Sequence, residues 1–273
     1  MGKFDNILIC TDLDGTLFRN DKSISQKNID AIEYFKSEGG YFTFITGRMP
    51  YYVDDALRKV KINAPFGCIN GGGLYDIREN RYIWNTPLDK SVVELVKYVV
   101  DNIEGMGVQY TCFDKVYFAT ENSCMEGFRK VTGVPNLTCS IDGPKETLAK
   151  IVFGDAREDQ LLRIKEIIDL HPRKDEFDYI RSEKKLYEIL PKGMSKGAVL
   201  PRLAEHLGLD ISRTVAVGDY NNDISMLRAA GVGIAVANAT PEAKAAADRI
   251  TVSNEEDAIA EIIKDIENKV ITF

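Results

Sequence analysis

The 273-residue sequence is poor in features that mark several large classes of protein. It has two isolated histidines and five cysteines without a Cys-x-x-Cys pair, a pattern that offers none of the common zinc sites, and we expect reduced cysteines. No apolar run approaches the about 18 residues of a membrane-spanning helix. The formal net charge of -7 disfavours duplex nucleic acid or an anionic membrane as the main partner, because no basic excess would neutralise their phosphates.

The first six residues lack the apolar core of a signal peptide, and no serine or threonine stands where an N-myristoylation motif requires one. We therefore expect a cytoplasmic protein. A hydrophobic fraction of 44% and a charged fraction of 28% are typical of globular proteins. The length is sufficient for one large domain or two smaller domains with proper cores.

Residues 7–17 combine a short apolar run with two carboxylates spaced two residues apart. The run predicts a buried strand that delivers Asp12 and Asp14 to its carboxyl end, where open α/β sheets bind their ligands. With a third carboxylate within about 4 Å, each like-charge pair would cost on the order of 4 kcal/mol at an effective dielectric near 20, so a cation would be needed. Mg²⁺ suits such oxygen ligands. An Asx turn at Asp14-Gly15 explains the same residues without a ligand.

A second polar strand end follows a helix that Ser25 is expected to cap. The β-rich run at residues 41–45 ends in Thr46-Gly47-Arg48, where a hydroxyl, an unobstructed backbone N–H and a cation could meet a phosphate oxygen. A right-handed strand-helix-strand crossover would place both strand ends at one edge of a parallel sheet. A capping threonine and a turn glycine are the structural alternative.

The C-terminal third supplies a lysine and two more carboxylates. Ser195 predicts a helix N-cap, which places Lys196 in the first turn, where the helix dipole disfavours a cation and an anionic partner is therefore expected. A solvated surface lysine is the alternative. The apolar strand at residues 214–218 leads directly to Asp219, and Asp223 follows at the start of the next helix. These strand-end acids provide the third carboxylate that the first motif requires.

Residues 87–190 follow a different pattern. Alternating apolar runs predict strands joined as hairpins, and helical periodicity predicts helices at 88–103, 124–131 and 158–170. No strand in this segment ends in an acid followed by a glycine, as the first motif does. We expect an α+β insert that shapes and covers a site rather than performing the chemistry, with an independent binding domain as the alternative.

Three further local predictions concern the remaining segments. Residues 50–59 predict one helix with Pro50 in its first turn, and residues 255–268 predict a C-terminal helix. A strand at residues 64–69 leads into Asn70 and three glycines, which predict a turn with positive φ or a close backbone approach. We interpret this loop as structural, with Asn70 a minor candidate for lining a cleft.

Four short motifs at the ends of predicted elements occur in an order and spacing that resemble the haloacid dehalogenase (HAD) superfamily. The resemblance is to the Cof-like phosphatases, which carry a large cap between the second and third motifs, and it spans nearly the whole chain. The sequence departs from the usual pattern at residues 71–73 and 256–258, where we expect changes in loop shape alone. The motifs are Asp12-Leu13-Asp14-Gly15-Thr16-Leu17, Thr46-Gly47-Arg48, Lys196-Gly197, and Gly218-Asp219 with Asn222-Asp223.

The resemblance implies a Rossmann-like, mostly parallel α/β core of residues 1–86 and 191–273, with an inserted α+β cap of residues 87–190. It implies that Asp12 is a nucleophile that becomes an aspartyl-phosphate, and that Asp14 is the acid–base residue. Mg²⁺ would be held by Asp12, the backbone carbonyl of Asp14, and Asp219, with Asp223 in support. The phosphate-binding residues implied are Leu13, Thr46, Gly47, Lys196 and Asn222.

The function that these residues predict is Mg²⁺-dependent hydrolysis of a small phosphomonoester, such as a sugar phosphate or a related metabolite. A phosphomutase on the same fold is the enzymatic alternative, and a non-catalytic phosphosugar-binding protein is the other. The sequence favours an enzyme, because a binding protein does not need a nucleophile. It does not identify the substrate, the cap residues that select it, or whether the protein is a monomer or a dimer.

Overall fold

The computed structural model describes residues 2–273 and divides them into two compact units. The first unit runs to Asn85 and resumes with Ser195–Phe273, and the second unit is Thr86–Met194. The chain therefore leaves the first unit once and returns to it once. The five cysteines are free thiols, three of them buried. Within the described residues, every helix is too short or too polar to cross a membrane.

The N-terminal segment of the first unit alternates strands and helices and then forms a small meander. Ser25 caps the first helix, because its side chain accepts a hydrogen bond from the Asn28 N–H at 3.1 Å. The meander is an antiparallel sheet in the order β3-β4-β5. The elements are β1 (Leu8–Thr11), α1 (Gln26–Ser37), β2 (Tyr41–Phe44), α2 (Asp54–Lys59), β3 (Phe66–Cys68), β4 (Gly73–Asp76) and β5 (Arg81–Asn85).

The second unit contains three helices and a six-stranded sheet in the order β10-β11-β9-β6-β7-β8, antiparallel except where β7 meets β8. Alternation along β9 places Ile151 and Phe153 in an apolar core with residues of α3 and α5, while Lys150 forms a buried ion pair with Glu188 at 2.8 Å. The elements are α3 (Val92–Asn102), β6 (Gly107–Cys112), β7 (Val116–Thr120), α4 (Ser123–Thr132), β8 (Leu137–Thr138), β9 (Leu148–Gly154), α5 (Glu158–Asp169), β10 (Phe177–Glu183) and β11 (Leu186–Pro191).

The C-terminal segment completes the first unit by strict alternation of helix and strand. Ser195 caps α6 by accepting from the Ala198 N–H at 3.2 Å, as its position in the sequence predicts. The α6 helix packs against α7, and α9 packs against α1. The elements are α6 (Lys196–His206), β12 (Thr214–Gly218), α7 (Ile224–Ala229), β13 (Val232–Ala235), α8 (Pro241–Ala246), β14 (Arg249–Ile250) and α9 (Ala258–Glu267).

The main sheet of the first unit has five parallel strands in the order β14-β13-β12-β1-β2. All residues of β1 and β12 are buried, which explains why both strands are continuously apolar or small rather than alternating. The ladder extends past β1, where the Asp12 N–H donates to Val217 O at 2.9 Å. The carboxyl ends of β1, β2 and β12 therefore lie side by side at one edge, and the predicted α/β class is confirmed.

Two predicted helices are interrupted. Residues 50–59 form a 3₁₀ turn, Pro50–Tyr52, followed by the separate helix α2. In one continuous helix the Ala56 N–H would donate to the Tyr52 carbonyl. Here both groups have other partners, because Arg48 donates to the Tyr52 carbonyl at 3.0 Å and the Ala56 N–H donates to the Asp55 side chain at 2.9 Å. The prediction of one continuous helix is therefore wrong.

The C-terminal helix is interrupted in the same way. A 3₁₀ turn, Asn254–Glu256, precedes Asp257, which has a left-handed backbone with φ 65°, and α9 begins only at the next residue. Arg19 bonds the Asp257 carboxylate at 2.9 Å, which holds a residue other than glycine in this conformation. Local periodicity does not reveal this partner, which lies far away along the chain.

Candidate active site

Three carboxylates from two strand ends meet at the edge of the main sheet. Asp12 follows β1, and Asp219 and Asp223 follow β12. Their ligand oxygens all lie within 4.8 Å of one another. These residues are far apart in sequence and adjacent here because β1 and β12 pair directly in parallel. The predicted approach of a third carboxylate to the first motif is therefore present in the structure.

Lys196 lies inside this group. Its Nζ is 2.7 Å from Asp12 Oδ1 and 2.6 Å from Asp223 Oδ1, and its side chain is fully buried. Burial alone would lower the pKa of Lys196, but Asp12 and Asp223 outweigh that effect and raise it. The lysine that stands against the helix dipole thus has the anionic partners that its position calls for.

Hydrogen bonds hold the carboxylates that follow β12 in defined orientations. Asp223 Oδ2 accepts from the backbone N–H groups of Asp219 and Tyr220, both at 2.9 Å, and Thr16 Oγ1 donates to Asp219 Oδ1 at 2.7 Å. Gly15 makes this approach possible: it has φ 82°, and a Cβ there would lie 2.5 Å from Asp219 Oδ2. Gly15 and Thr16 are therefore required by contact with Asp219 as well as by the turn itself.

The Asp14 side chain is directed to a different set of partners, outside the three-carboxylate group. Arg48 donates to both of its oxygens, from Nε at 2.9 Å and from Nη2 at 2.8 Å, and Lys22 Nζ donates at 2.8 Å. Burial raises the pKa of Asp14, but Arg48 and Lys22 outweigh it, and the net shift is downward. A contribution of this residue to a metal site through its backbone carbonyl is compatible with this arrangement.

The remaining predicted phosphate ligands border the same edge. Thr46 is buried two residues after the end of β2, and its Oγ1 accepts from the Arg48 N–H at 3.2 Å. Asn222 Nδ2 donates to Asn70 Oδ1 at 3.1 Å, while the buried Asn222 Oδ1 has no hydrogen-bond partner among the described residues. Leu13 and Gly47 stand in the loops after β1 and β2. The structure thus brings polar groups from four loops to one edge.

The glycine-rich loop behaves as predicted. Ile69, Asn70 and Gly71 all have positive φ, of 56°, 52° and 92°. A Cβ on Gly71 would lie 1.8 Å from Ser195 O, so only glycine allows this loop to pack against the start of α6. This packing places the Asn70 side chain beside Asn222, which gives Asn70 a larger part in the site than its sequence suggests.

The charges of the group fit a divalent cation. Burial raises the pKa of Asp12 well above its ordinary value, Lys196 opposes this, and Asp223 and Asp219 add to it. Burial and the neighbouring Asp223 raise the pKa of Asp219 to about 7. When all three carboxylates are ionised, they and the lysine leave an excess of two negative charges, and a carboxylate pair separated by the full 4.8 Å costs about 3–4 kcal/mol at an effective dielectric near 20. Clustered hard oxygen donors of this kind suit Mg²⁺.

Sequence reasoning missed two supporting residues. Asn238 Nδ2 donates to Gly15 O at 2.8 Å, and its Oδ1 accepts from the Asn254 N–H at 3.0 Å. Asn254 is itself buried and donates to Phe18 O at 3.0 Å. The two asparagines therefore hold the chain on the C-terminal side of Asp14, at Gly15 and Phe18. Their one sequence signal is the Ala237-Asn238-Ala239 segment after β13, where a lone asparagine does not indicate its partner.

Comparison with known proteins shows which family the chain resembles. Residues 9–263 match the family described as haloacid dehalogenase-like hydrolase. The chain is 30% identical over 270 residues to the 5-amino-6-(5-phospho-D-ribitylamino)uracil phosphatase YitU of Bacillus subtilis, with 94% of this chain and 96% of the relative covered. It is 27% identical to the putative phosphatase YkrA of the same organism, with 96% and 98% covered.

Solved structures show the same fold at lower sequence identity. A haloacid dehalogenase-like hydrolase from Bacteroides thetaiotaomicron superposes with a TM-score of 0.81 at 23% identity, covering 96% of this chain and all of that one. The HAD subclass IIB sugar phosphatase BT4131 superposes with a TM-score of 0.83 at 22% identity, covering 97% and 100%. The chain belongs to the haloacid dehalogenase superfamily, in its Cof-like phosphatase subgroup, and is a phosphoric monoester hydrolase of that type.

Proposed function

We propose that the protein hydrolyses small phosphomonoesters, sugar phosphates or related metabolites, with Mg²⁺ as cofactor and through an aspartyl-phosphate on Asp12. The observation that carries the proposal is the buried group of Asp12, Asp219 and Asp223 around Lys196. A buried excess of negative charge next to a strand-end aspartate is the arrangement that phosphoryl transfer through a carboxylate requires.

In the first step, an Asp12 carboxylate oxygen forms a bond to phosphorus while the bond from phosphorus to the ester oxygen breaks. Asp14 gives a proton to that leaving oxygen, which requires it to be transiently protonated in the reacting complex although Arg48 and Lys22 lower its pKa in the free protein. In the second step, Asp14 takes a proton from water, whose oxygen attacks the phosphorus of the aspartyl-phosphate. The bond to Asp12 then breaks, and inorganic phosphate is released.

Lys196 has two parts in this scheme. Its Nζ holds Asp12 at 2.7 Å in one orientation, and its charge offsets part of the negative charge on the transferring phosphoryl group. Thr46, Gly47, Asn222 and the Leu13 backbone would orient the phosphoryl oxygens. When bound by Asp12, Asp219, the Asp14 carbonyl and, in support, Asp223, Mg²⁺ supplies further neutralisation of the phosphoryl charge.

A panel of phosphorylated metabolites, assayed for phosphate release with and without Mg²⁺, tests this proposal. The panel contains hexose and pentose phosphates, polyol phosphates and a ribityl phosphate, the last because the relative YitU is named for a phosphoribityl substrate. We expect phosphate release from at least one member that stops when EDTA removes the divalent cation. Release of phosphate from no member of the panel would contradict the proposal.

The variant Asp12→Asn provides the matched control. It keeps the shape of the side chain and removes the nucleophile, so we expect turnover to fall by at least about 10⁴-fold. The circular dichroism spectrum of the variant should match that of the wild type, which shows that the fold is retained. Appearance of an isomeric phosphate in place of free phosphate would favour a phosphomutase. Ligand binding without turnover in the wild type would favour a non-catalytic binding protein.

A further inference from the structure

Every guanidinium nitrogen of Arg48 is engaged by protein groups. Nε and Nη2 donate to the two oxygens of Asp14, while Nη1 donates to Asp55 at 3.0 and 3.2 Å and to Tyr52 O at 3.0 Å. The planar fork is thus filled on one side by Asp14 and on the other by Asp55. Such two-sided recognition needs arginine, because a lysine ammonium lacks the fixed fork.

Contacts with an aromatic ring and with the backbone support the Arg48–Asp14 pair. The Arg48 guanidinium lies 5.3 Å from the centroid of the buried Phe18 ring, and the Lys59 ammonium lies at the same distance from that ring. Lys59 Nζ also donates to Lys22 O at 2.6 Å. The loop that carries Asp14 is therefore tied to α2 through two cations that share one aromatic ring.

We propose that Arg48 is a positioning residue for Asp14, that Asp55 in turn positions Arg48, and that Arg48 does not bind the phosphoryl group. The inference rests on the proposed function, since it assigns a role within the same reaction. It differs from the sequence-based expectation that the Arg48 charge meets a phosphate oxygen. Lys22 adds a second contact to Asp14 at 2.8 Å, but its side chain is 54% exposed and screened by solvent, so its part is smaller.

If Arg48 positions Asp14, the loss of kcat/KM on replacing Arg48 should depend on the leaving group of the substrate. An alkyl phosphate expels a poor leaving group that needs a proton from Asp14, whereas 4-nitrophenyl phosphate expels a stable phenolate that needs little help. The parameter kcat/KM reports the steps up to formation of the aspartyl-phosphate, so it isolates this proton transfer from later hydrolysis. A residue that binds the phosphoryl group would affect both substrates equally, because both carry the same phosphate.

The experiment compares Arg48→Met with Arg58→Met, a matched exposed arginine on α2. We expect Arg48→Met to lower kcat/KM for the best alkyl phosphate of the panel by about 10²-fold or more, and for 4-nitrophenyl phosphate by less than about tenfold. The inhibition constant of inorganic phosphate should change less than about threefold, and Asp14→Asn should show the same selectivity. The control Arg58→Met should match the wild type on both substrates.

Asp55→Asn decides the matter if Arg48→Met fails to fold. It leaves the arginine in place and weakens its anchor, so we expect a smaller loss with the same preference for the alkyl substrate, against no change in the exposed neighbour Asp54→Asn. Equal losses on both substrates, with weaker phosphate inhibition to match, would overturn the inference in favour of direct phosphate binding. A wild type inactive on both substrates would refute the proposed function itself, and this inference with it.

Discussion

Two buried lysines, one in each unit, show how similar contacts serve different ends. Lys150 of the second unit pairs with Glu188, and the two charges sum to zero. Lys196 of the first unit bonds Asp12 and Asp223, with Asp219 close by, and the four groups together carry an excess of two negative charges when all three carboxylates are ionised. A balanced buried ion pair can often be replaced by two apolar side chains of similar volume without loss of stability. A group with unbalanced charge has no such replacement, and at a pH where its carboxylates are ionised it favours a bound cation.

The largest expected effect is on Lys196. In Lys196→Met, Asp12 loses its orienting contact and the phosphoryl group loses a buried cation, so kcat/KM at saturating Mg²⁺ should fall on the order of 10³–10⁵-fold. Lys264→Met, which removes an exposed lysine paired with Glu261, is the control and should retain full activity. Steady-state kinetics measure kcat/KM for both variants. A loss below tenfold in Lys196→Met would remove the contrast between Lys196 and Lys150.

The second effect is on stability in the other unit. Lys150→Met removes the ammonium that lies 2.8 Å from the buried Glu188 carboxylate, and we expect the free energy of unfolding to fall by about 3–5 kcal/mol. Adding Glu188→Leu should recover most of that loss, since the balanced pair can be replaced by apolar side chains. Urea unfolding followed by circular dichroism measures both. A double variant no more stable than the single one would show that this pair, too, is held for a reason other than charge balance.

The smallest expected effect is on the pH dependence of Mg²⁺ stabilisation. The pKa of Asp219 is raised from 3.8 to about 7, so between these values the folded protein holds a proton that the unfolded chain has lost. Without a cation, stability from this group therefore falls as the pH rises through that window, and the loss is complete above pH 7. Mg²⁺ should raise the melting temperature by several degrees more at pH 8 than at pH 5.5.

Asp219→Asn is the control for this measurement. It removes the titrating carboxylate, so the difference between the two pH values should shrink markedly in thermal melts with and without Mg²⁺. A wild type that gains the same stabilisation at both pH values would contradict the raised pKa of Asp219 and weaken the case that this group differs from the Lys150 pair.

Elements with a strong local pattern were predictable from the sequence. The fully buried, mostly apolar strands β1 and β12 follow from their apolar runs, and the capped helices α1 and α6 follow from periodicity and from serine caps that act within four residues. The breaks at Val53 and Asp257 were not predictable, because each depends on an arginine elsewhere: Arg48 bonds the Tyr52 carbonyl, and Arg19 bonds the Asp257 carboxylate. Periodicity describes which face of an element is apolar and carries no information about such partners.

The sequence by itself determined which residues are candidates for the chemistry, because acids, a threonine and a lysine placed at the ends of apolar strands and at a helix start are visible without coordinates. Only the tertiary structure decided what each one touches. The parallel pairing of β1 with β12 brings Asp12 to Asp219 and Asp223, and the path of residues 48–55 turns Arg48 toward Asp14. The physical reason is range: propensity and capping act over a few residues, whereas charges interact through space between segments that the fold alone brings together.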